Sequence, residues 1–222
     1  MMDYLNVFVE RYQDLGEATL RHILITVIAI FLACIVAIPV GIYLAKTKHK
    51  WIQSIVFTIT NIFQTIPSLA MLAIFIPLIG IGLKPAIIAL FLYSLLPILR
   101  NTYAAFKSID EEILEAAIGM GYSPLQRLFR VELILAVPYI MSGIRLTTVY
   151  IINWATLAAL IGAGGLGQII IGGMGTNNKP LILAAAVLAM GLALIAEFLL
   201  GRVEALSSRK IHSENKISME EN

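Results

Sequence analysis

Charge is scarce in this sequence. Asp, Glu, Lys and Arg together make 14% of 222 residues, where a soluble domain carries about 25%. With 59% apolar residues and a mean hydropathy of +0.88, the chain lacks the polar surface to clothe a water-facing globule. It has one cysteine, Cys34, so no intrachain disulfide can form. Its three histidines, His22, His49 and His212, are too scattered to suggest a metal cluster. There is no Gly-x-x-x-x-Gly-Lys-Ser/Thr loop to cradle a nucleotide and no Gly-x-Ser-x-Gly elbow, which leaves no basis for ATP hydrolysis by this chain or for a serine nucleophile. Net charge is only +2, and no basic stripe with interleaved aromatics points to nucleic acid.

What the sequence has instead is long uncharged blocks: residues 23–45, 51–83, 146–178 and 180–196. A helix needs roughly 20 apolar residues to cross a bilayer. Backbone groups in lipid must be satisfied internally, so spans are helices. Five spans fit, near residues 20–45, 52–79, 85–106, 133–160 and 180–201, with kinks expected at Pro39, Pro67, Pro97 and Pro138. Residues 1–18 read as an extracytoplasmic tail. This tail is acidic and the first apolar block is long, so that block reads as a retained span and not a cleaved signal. Residues 201–222 read as a polar cytoplasmic tail, disordered beyond Ser207.

The Lys/Arg distribution sets orientation. The compact loop Lys46-Thr47-Lys48-His49-Lys50 reads as cytoplasmic, which puts the N-terminus outside and the C-terminus inside. Eleven of the sixteen Lys/Arg residues then fall inside. Charges within or near spans need partners or water. Arg100 and Glu197 can snorkel from inner ends. Glu132 and Arg145 need more. Arg145 is either a structural anchor or part of a polar cavity.

The connection 107–131 is the most informative stretch. Ser108 and Glu111 have capping-box spacing. Ile109, Ile113, Ala116, Ala117 and Met120 follow at helical spacing, and Gly121 is a natural stop. Ser123-Pro124-Leu125-Gln126 restarts a helix with cap, proline and glutamine in the preferred places. The pattern predicts a short helix, a sharp turn and a second helix outside lipid. Its apolar face either lies on the bilayer or its own bundle, or docks in a groove on a cytoplasmic partner.

Glu115-Ala116-Ala117-Ile118-Gly119-Met120-Gly121 resembles the Glu-Ala-Ala loop of binding-protein-dependent ABC permeases. The downstream Ile-x-Leu-Pro of that motif reads Val131-Glu132-Leu133-Ile134 here, with Pro138 four residues later. Further blocks, Gln64 to Ala70, Leu96 to Tyr103, Gly143-Ile144-Arg145 and Ile161 to Gly167, are similar to permeases for glycine betaine, carnitine and choline. The resemblance covers about residues 19–200. It implies an all-α membrane protein with the five-helix, type I importer fold, shared with methionine permeases, and a cytoplasmic coupling helix. It also implies ATPase subunits that receive Glu115, Ala116, Ala117 and Gly121, a second permease (identical or paralogous), an extracellular solute-binding protein, and no cofactor. Competing readings are a permease for another small solute such as an amino acid, an ion-coupled secondary transporter, which would show internal repeats, and a membrane scaffold.

Gly162-x-Gly164-x-x-Gly167 matches a dinucleotide fingerprint by letter but lies in an uncharged block without the acidic residue the fingerprint needs. Close helix packing or a turn near the outer face explains it instead. A quaternary ammonium prefers aromatic faces, so Phe63, Tyr93, Tyr150 and Trp154, with Gln64, are candidates to line a passage. Packing or interfacial anchoring is the simpler explanation of each aromatic.

Overall fold

The computed structural model describes residues 2–220, with side chains described for residues 6–208. Among the described residues the chain is helical throughout, without strands. Helix α1 (Met2–Glu10) leads into α2 (Tyr12–Lys46); α3 (Lys50–Thr65) and α4 (Ser68–Ile79) follow, then α5 (Leu83–Lys107). Two short helices, α6 (Glu111–Gly119) and α7 (Pro124–Arg127), lead through a π-helical turn at Leu128–Glu132 into α8 (Leu133–Ala155). A 3-10 turn at Leu157–Ile161, α9 (Leu166–Gly175) and α10 (Lys179–Glu220) complete the chain. The helices α2, α5, α10 and the run from α7 through α8 are long and apolar enough to cross a bilayer, and the bent pair α3–α4 is a fifth candidate when its two arms count as one span.

That pair is bent by 98°. Pro67 offers no N–H and drives the residue before it out of the helical region. Ile66 is accordingly extended (φ −70°, ψ 126°), as is Pro67 (φ −55°, ψ 140°). The expected kink is therefore a full break. Pro39, Pro97 and Pro138 lie inside continuous helices, which transmembrane segments tolerate when neighbours satisfy the freed backbone.

The middle of the bundle is α2, α5 and α8. Ile25, Ala29, Leu90, Tyr93, Ile151 and Ala155 are all buried there in one cluster. Gly167, the last glycine of the fingerprint-like run, sits where a Cβ would lie 1.9 Å from the carbonyl oxygen of Thr156. Gly167 thus packs α9 closely against the end of α8, while Gly162, Gly164 and Gly165 (φ 77°, 86° and 78°) form the turn before it.

Both ends of the described chain are helical. The predicted N-terminal tail is helical, because Val7, Phe8 and Leu15 have apolar neighbours in α9 and α10. The helix that holds the first span begins at Tyr12. Helix α10 continues to Glu220 where a disordered tail was expected. No glycine or proline interrupts it after Gly201.

Two ion-pair clusters tie helices together. Arg145 on α8 pairs with Glu197 (2.6 Å) and Glu204 (2.9 Å), one above the other on α10. Arg145 is therefore an anchor between helices. Glu197, expected to snorkel alone, is its partner. At the end of the bundle that carries α6, Glu132 is 4% exposed and receives Lys46 (2.7 Å) and Arg127 (2.9 Å).

Candidate functional site

The segment between α5 and α8 forms as two short helices in sharp succession. Its first cap differs from the expected one. Asp110 caps α6, its side chain accepting from the Glu112 N–H at 3.0 Å. Ser108 instead donates to Ala105 O (2.9 Å), closing α5. Both residue types make good caps, but Ser108 still belongs to the preceding helix end. The stop is as predicted. Gly121 has φ 80°, its N–H donates to Ile118 O (2.9 Å), and Tyr122 N–H donates to Ala117 O (3.1 Å). This pair of bonds is the Schellman arrangement, which places a left-handed residue after the helix. The restart is also as predicted. Ser123 and Gln126 form a complete capping box, with Pro124 at the first helical position.

Helix α6 divides its apolar residues between two sides. Ala117 is buried (1% exposed). It therefore leaves the apolar face on which the sequence pattern had put it. Ile113, Ala116 and Met120, spaced three and four apart, are exposed, Met120 at 67%. Ile118 and Glu115 are exposed too. The hairpin thus presents an uncovered apolar strip on a frame fixed by two caps. Its far arm is pinned through Arg127 to Glu132, and through Glu132 to Lys46 at the end of α2. The sequence flagged Glu132 as a charge needing partners but did not supply Lys46.

Four of the five residues proposed to line a passage come together. Gln64, Tyr93, Tyr150 and Trp154 line a cavity of about 210 Å³, with Pro97, Thr147 and Ile151 completing it. Phe63 is not among them; it packs against the buried core. The geometry follows from two prolines. Pro97 has no N–H, so the carbonyl of Tyr93, four residues earlier, loses its helical donor. The Gln64 side-chain amide donates to that carbonyl. The break at Pro67 leaves the Ile66 carbonyl without a helical partner, and the Tyr93 hydroxyl donates to it. Gln64 and Tyr93 thus cap the two carbonyls that the prolines free. The Tyr93 and Trp154 rings meet edge to face, with centroids 4.3 Å apart.

The described helices thus form a bundle with four candidate spans, five if the bent pair counts as one, and a capped hairpin that presents an exposed apolar strip, the architecture of a multi-pass membrane protein. The chain belongs to the binding-protein-dependent transport system inner membrane component family, which it matches over residues 37–208. It is 45% identical over 198 residues to the choline transport system permease protein OpuBB of Bacillus subtilis (strain 168), covering 89% of this chain and 88% of that one. It is 44% identical over 197 residues to the carnitine transport permease protein OpuCB of Listeria monocytogenes, covering 89% of each. Among solved structures, an inward-facing conformation of the MetNI methionine ABC transporter matches with a TM-score of 0.79 at 26% identity, over 88% of this chain and 97% of that one. The fold is that of type I ABC importer permeases.

Proposed function

We propose that this chain forms the translocation pathway of an ATP-driven importer for a quaternary-amine osmoprotectant: glycine betaine, carnitine or choline. The observation that carries the substrate class is the near-full-length similarity, at 44–45% identity, to permeases named for choline and carnitine. The methionine transporter shares the fold at 26% identity, so an amino-acid substrate is the second reading.

In the proposed mechanism, the strip Ile113–Ala116–Met120 seats in a groove of a separate ATPase subunit, with Ala117 and Gly121 shaping the helix and its end. Glu115, exposed beside the strip, meets either a basic group on that subunit or a partner within the loop. Nucleotide-driven movement of the groove would then pass along α7 and the Glu132 ion pairs into α8 and α2. Five spans enclose little space alone, so two permeases form one pathway. A solute-binding protein delivers cargo to the opposite face. The Lys/Arg bias supports a cytoplasmic α6, an outside N-terminus and a cytoplasmic C-terminus. The family's dependence on a binding protein supports the external partner.

The test is uptake of labelled betaine, carnitine and choline in a strain lacking its other uptake systems. Accumulation of at least one that vanishes when the ATPase partner is deleted is expected. Uptake that survives that deletion but collapses with the ion gradient would overturn the proposal.

A further inference from the structure

The cavity at the broken span is lined by three aromatic rings, and part of its hydrogen-bonding capacity is already committed. Gln64 donates its amide to Tyr93 O, and Tyr93 donates its hydroxyl to Ile66 O. Thr147 donates its hydroxyl to Gly143 O at 2.6 Å. None of the residues lining the cavity carries a charge. What remains for a ligand is the ring surface of Tyr93, Tyr150 and Trp154, with the neutral Gln64 side-chain carbonyl, Tyr150 hydroxyl and Trp154 N–H beside it.

Such a lining disfavours most ions. A divalent metal demands several oxygen ligands, and a primary ammonium brings three N–H donors where the lining offers as acceptors only the Gln64 side-chain carbonyl and hydroxyl oxygens. An anion would meet no cationic group. A quaternary ammonium has no N–H to satisfy and is held by aromatic faces. The surrounding backbone favours the same sign. Gln64 lies in the last turn of α3, which ends at Thr65 within the bent span, and a helix C-terminus carries a partial negative charge. Broken helices in other membrane transport folds use such ends to hold cations. Size adds a limit. At about 210 Å³ the cavity is below the roughly 300–1,000 Å³ of sites for drug-sized molecules, so it suits a compact head group.

We propose that the cavity formed by Tyr93, Tyr150, Trp154 and Gln64 is a binding site for a trimethylammonium head group inside the permease itself, independent of any binding protein. The inference rests on the osmoprotectant reading for its biological ligand, but the site can be assayed without transport. Tyr150 is 57% exposed, so it forms the open wall, whereas buried Tyr93 and the capping Gln64 form the floor.

The experiment uses the full chain in lipid nanodiscs with Trp51→Phe. Trp51 is 64% exposed, and its replacement leaves Trp154 as the sole tryptophan of the two. Trp154 emission is followed on titration with tetramethylammonium chloride, and with methylammonium chloride and sodium chloride at matched ionic strength. A saturable change with tetramethylammonium alone is expected. Tyr150→Leu should raise the half-saturation concentration by about three- to tenfold, and Tyr150→Phe, which keeps the ring, by less than about twofold. Equal responses to all three salts, or equal half-saturation in the parent, Tyr150→Leu and Tyr150→Phe, would overturn the inference. Absence of binding alongside ATPase-dependent uptake of a quaternary amine would overturn the internal site and leave the import reading standing. Saturable binding without ATPase-dependent uptake would do the reverse.

Discussion

Removing the charge of Glu132 tests the joint between the exposed hairpin and the bundle. Its side chain is 5% exposed and meets Lys46 Nζ at 2.7 Å and Arg127 Nε at 2.9 Å, while those partners are 37% and 25% exposed. Breaking a fully buried pair costs about 3–5 kcal/mol, because a charge is left unpaired in low dielectric. An exposed pair is worth about 0–1 kcal/mol. Here the carboxylate is buried but both cations reach solvent, and the amide of Glu132→Gln keeps one acceptor. The expected loss lies between those limits, at about 1–2 kcal/mol. Because Glu132 and Lys46 touch, their effects should not add. A double-mutant cycle of Glu132→Gln and Lys46→Met, read by equilibrium unfolding in mixed micelles, should give a coupling energy of about 1 kcal/mol or more. Additivity within about 0.5 kcal/mol would show that the two side chains do not interact energetically. It would remove the proposed link between hairpin and first span.

Three further outcomes are expected. Gly121→Asp and Ala116→Leu should leave insertion intact but lower ATPase recruitment, or uncouple hydrolysis from uptake, in purified complexes. A side chain at position 121 meets no neighbouring atom within 4 Å, so its cost is backbone strain of roughly 1 kcal/mol, and Ala116 is exposed. Gln64→Leu uncaps the Tyr93 carbonyl and should destabilise by about 1 kcal/mol, between the roughly 0.6 kcal/mol average for polar contacts in membranes and the 1–3 kcal/mol of a stranded buried group; no change in unfolding midpoint would remove its capping role. Topology reporters at Lys48, Lys84 and Gln126 should read inside, outside, inside, and an outside signal at Gln126 would reverse the proposed orientation.

Much of this architecture was legible because it rests on short-range chemistry. The Ser123–Gln126 capping box and the Gly121 stop are fixed by residues within one turn, and the structure repeats them closely. The break at Pro67 was anticipated as a kink, since local sequence names the proline but not whether neighbours will satisfy a complete break. That depended on Tyr93 lying across from Ile66, a long-range contact without a local signature. Gln64 was picked out through family resemblance, while its partner follows from a rule readable in sequence: a mid-helix Pro97 frees the carbonyl at position 93. The cap at Asp110 was missed because Ser108 offers equally good spacing, and only the end of α5 decides between them. Residues 1–18 read as a tail from their acidic character; the packing of Val7 and Phe8 with apolar residues of α9 and α10 is a tertiary effect. Arg145 could be assigned to an anchor only once Glu197 and Glu204 stood beside it.

The central claim is that α6 is the surface through which an ATPase drives this permease, and proximity cross-linking reads it directly. With Cys34→Ser removing the lone cysteine, single cysteines at Ala116 and at Lys84, both exposed and on opposite ends of the spans, are treated with a short bifunctional thiol reagent in membranes containing the partner ATPase. The account predicts a cross-link from position 116 to the ATPase whose yield changes when ATP is trapped on the partner, and none from position 84. Equal capture at both positions, or an ATPase that co-purifies without any link to 116, would contradict it.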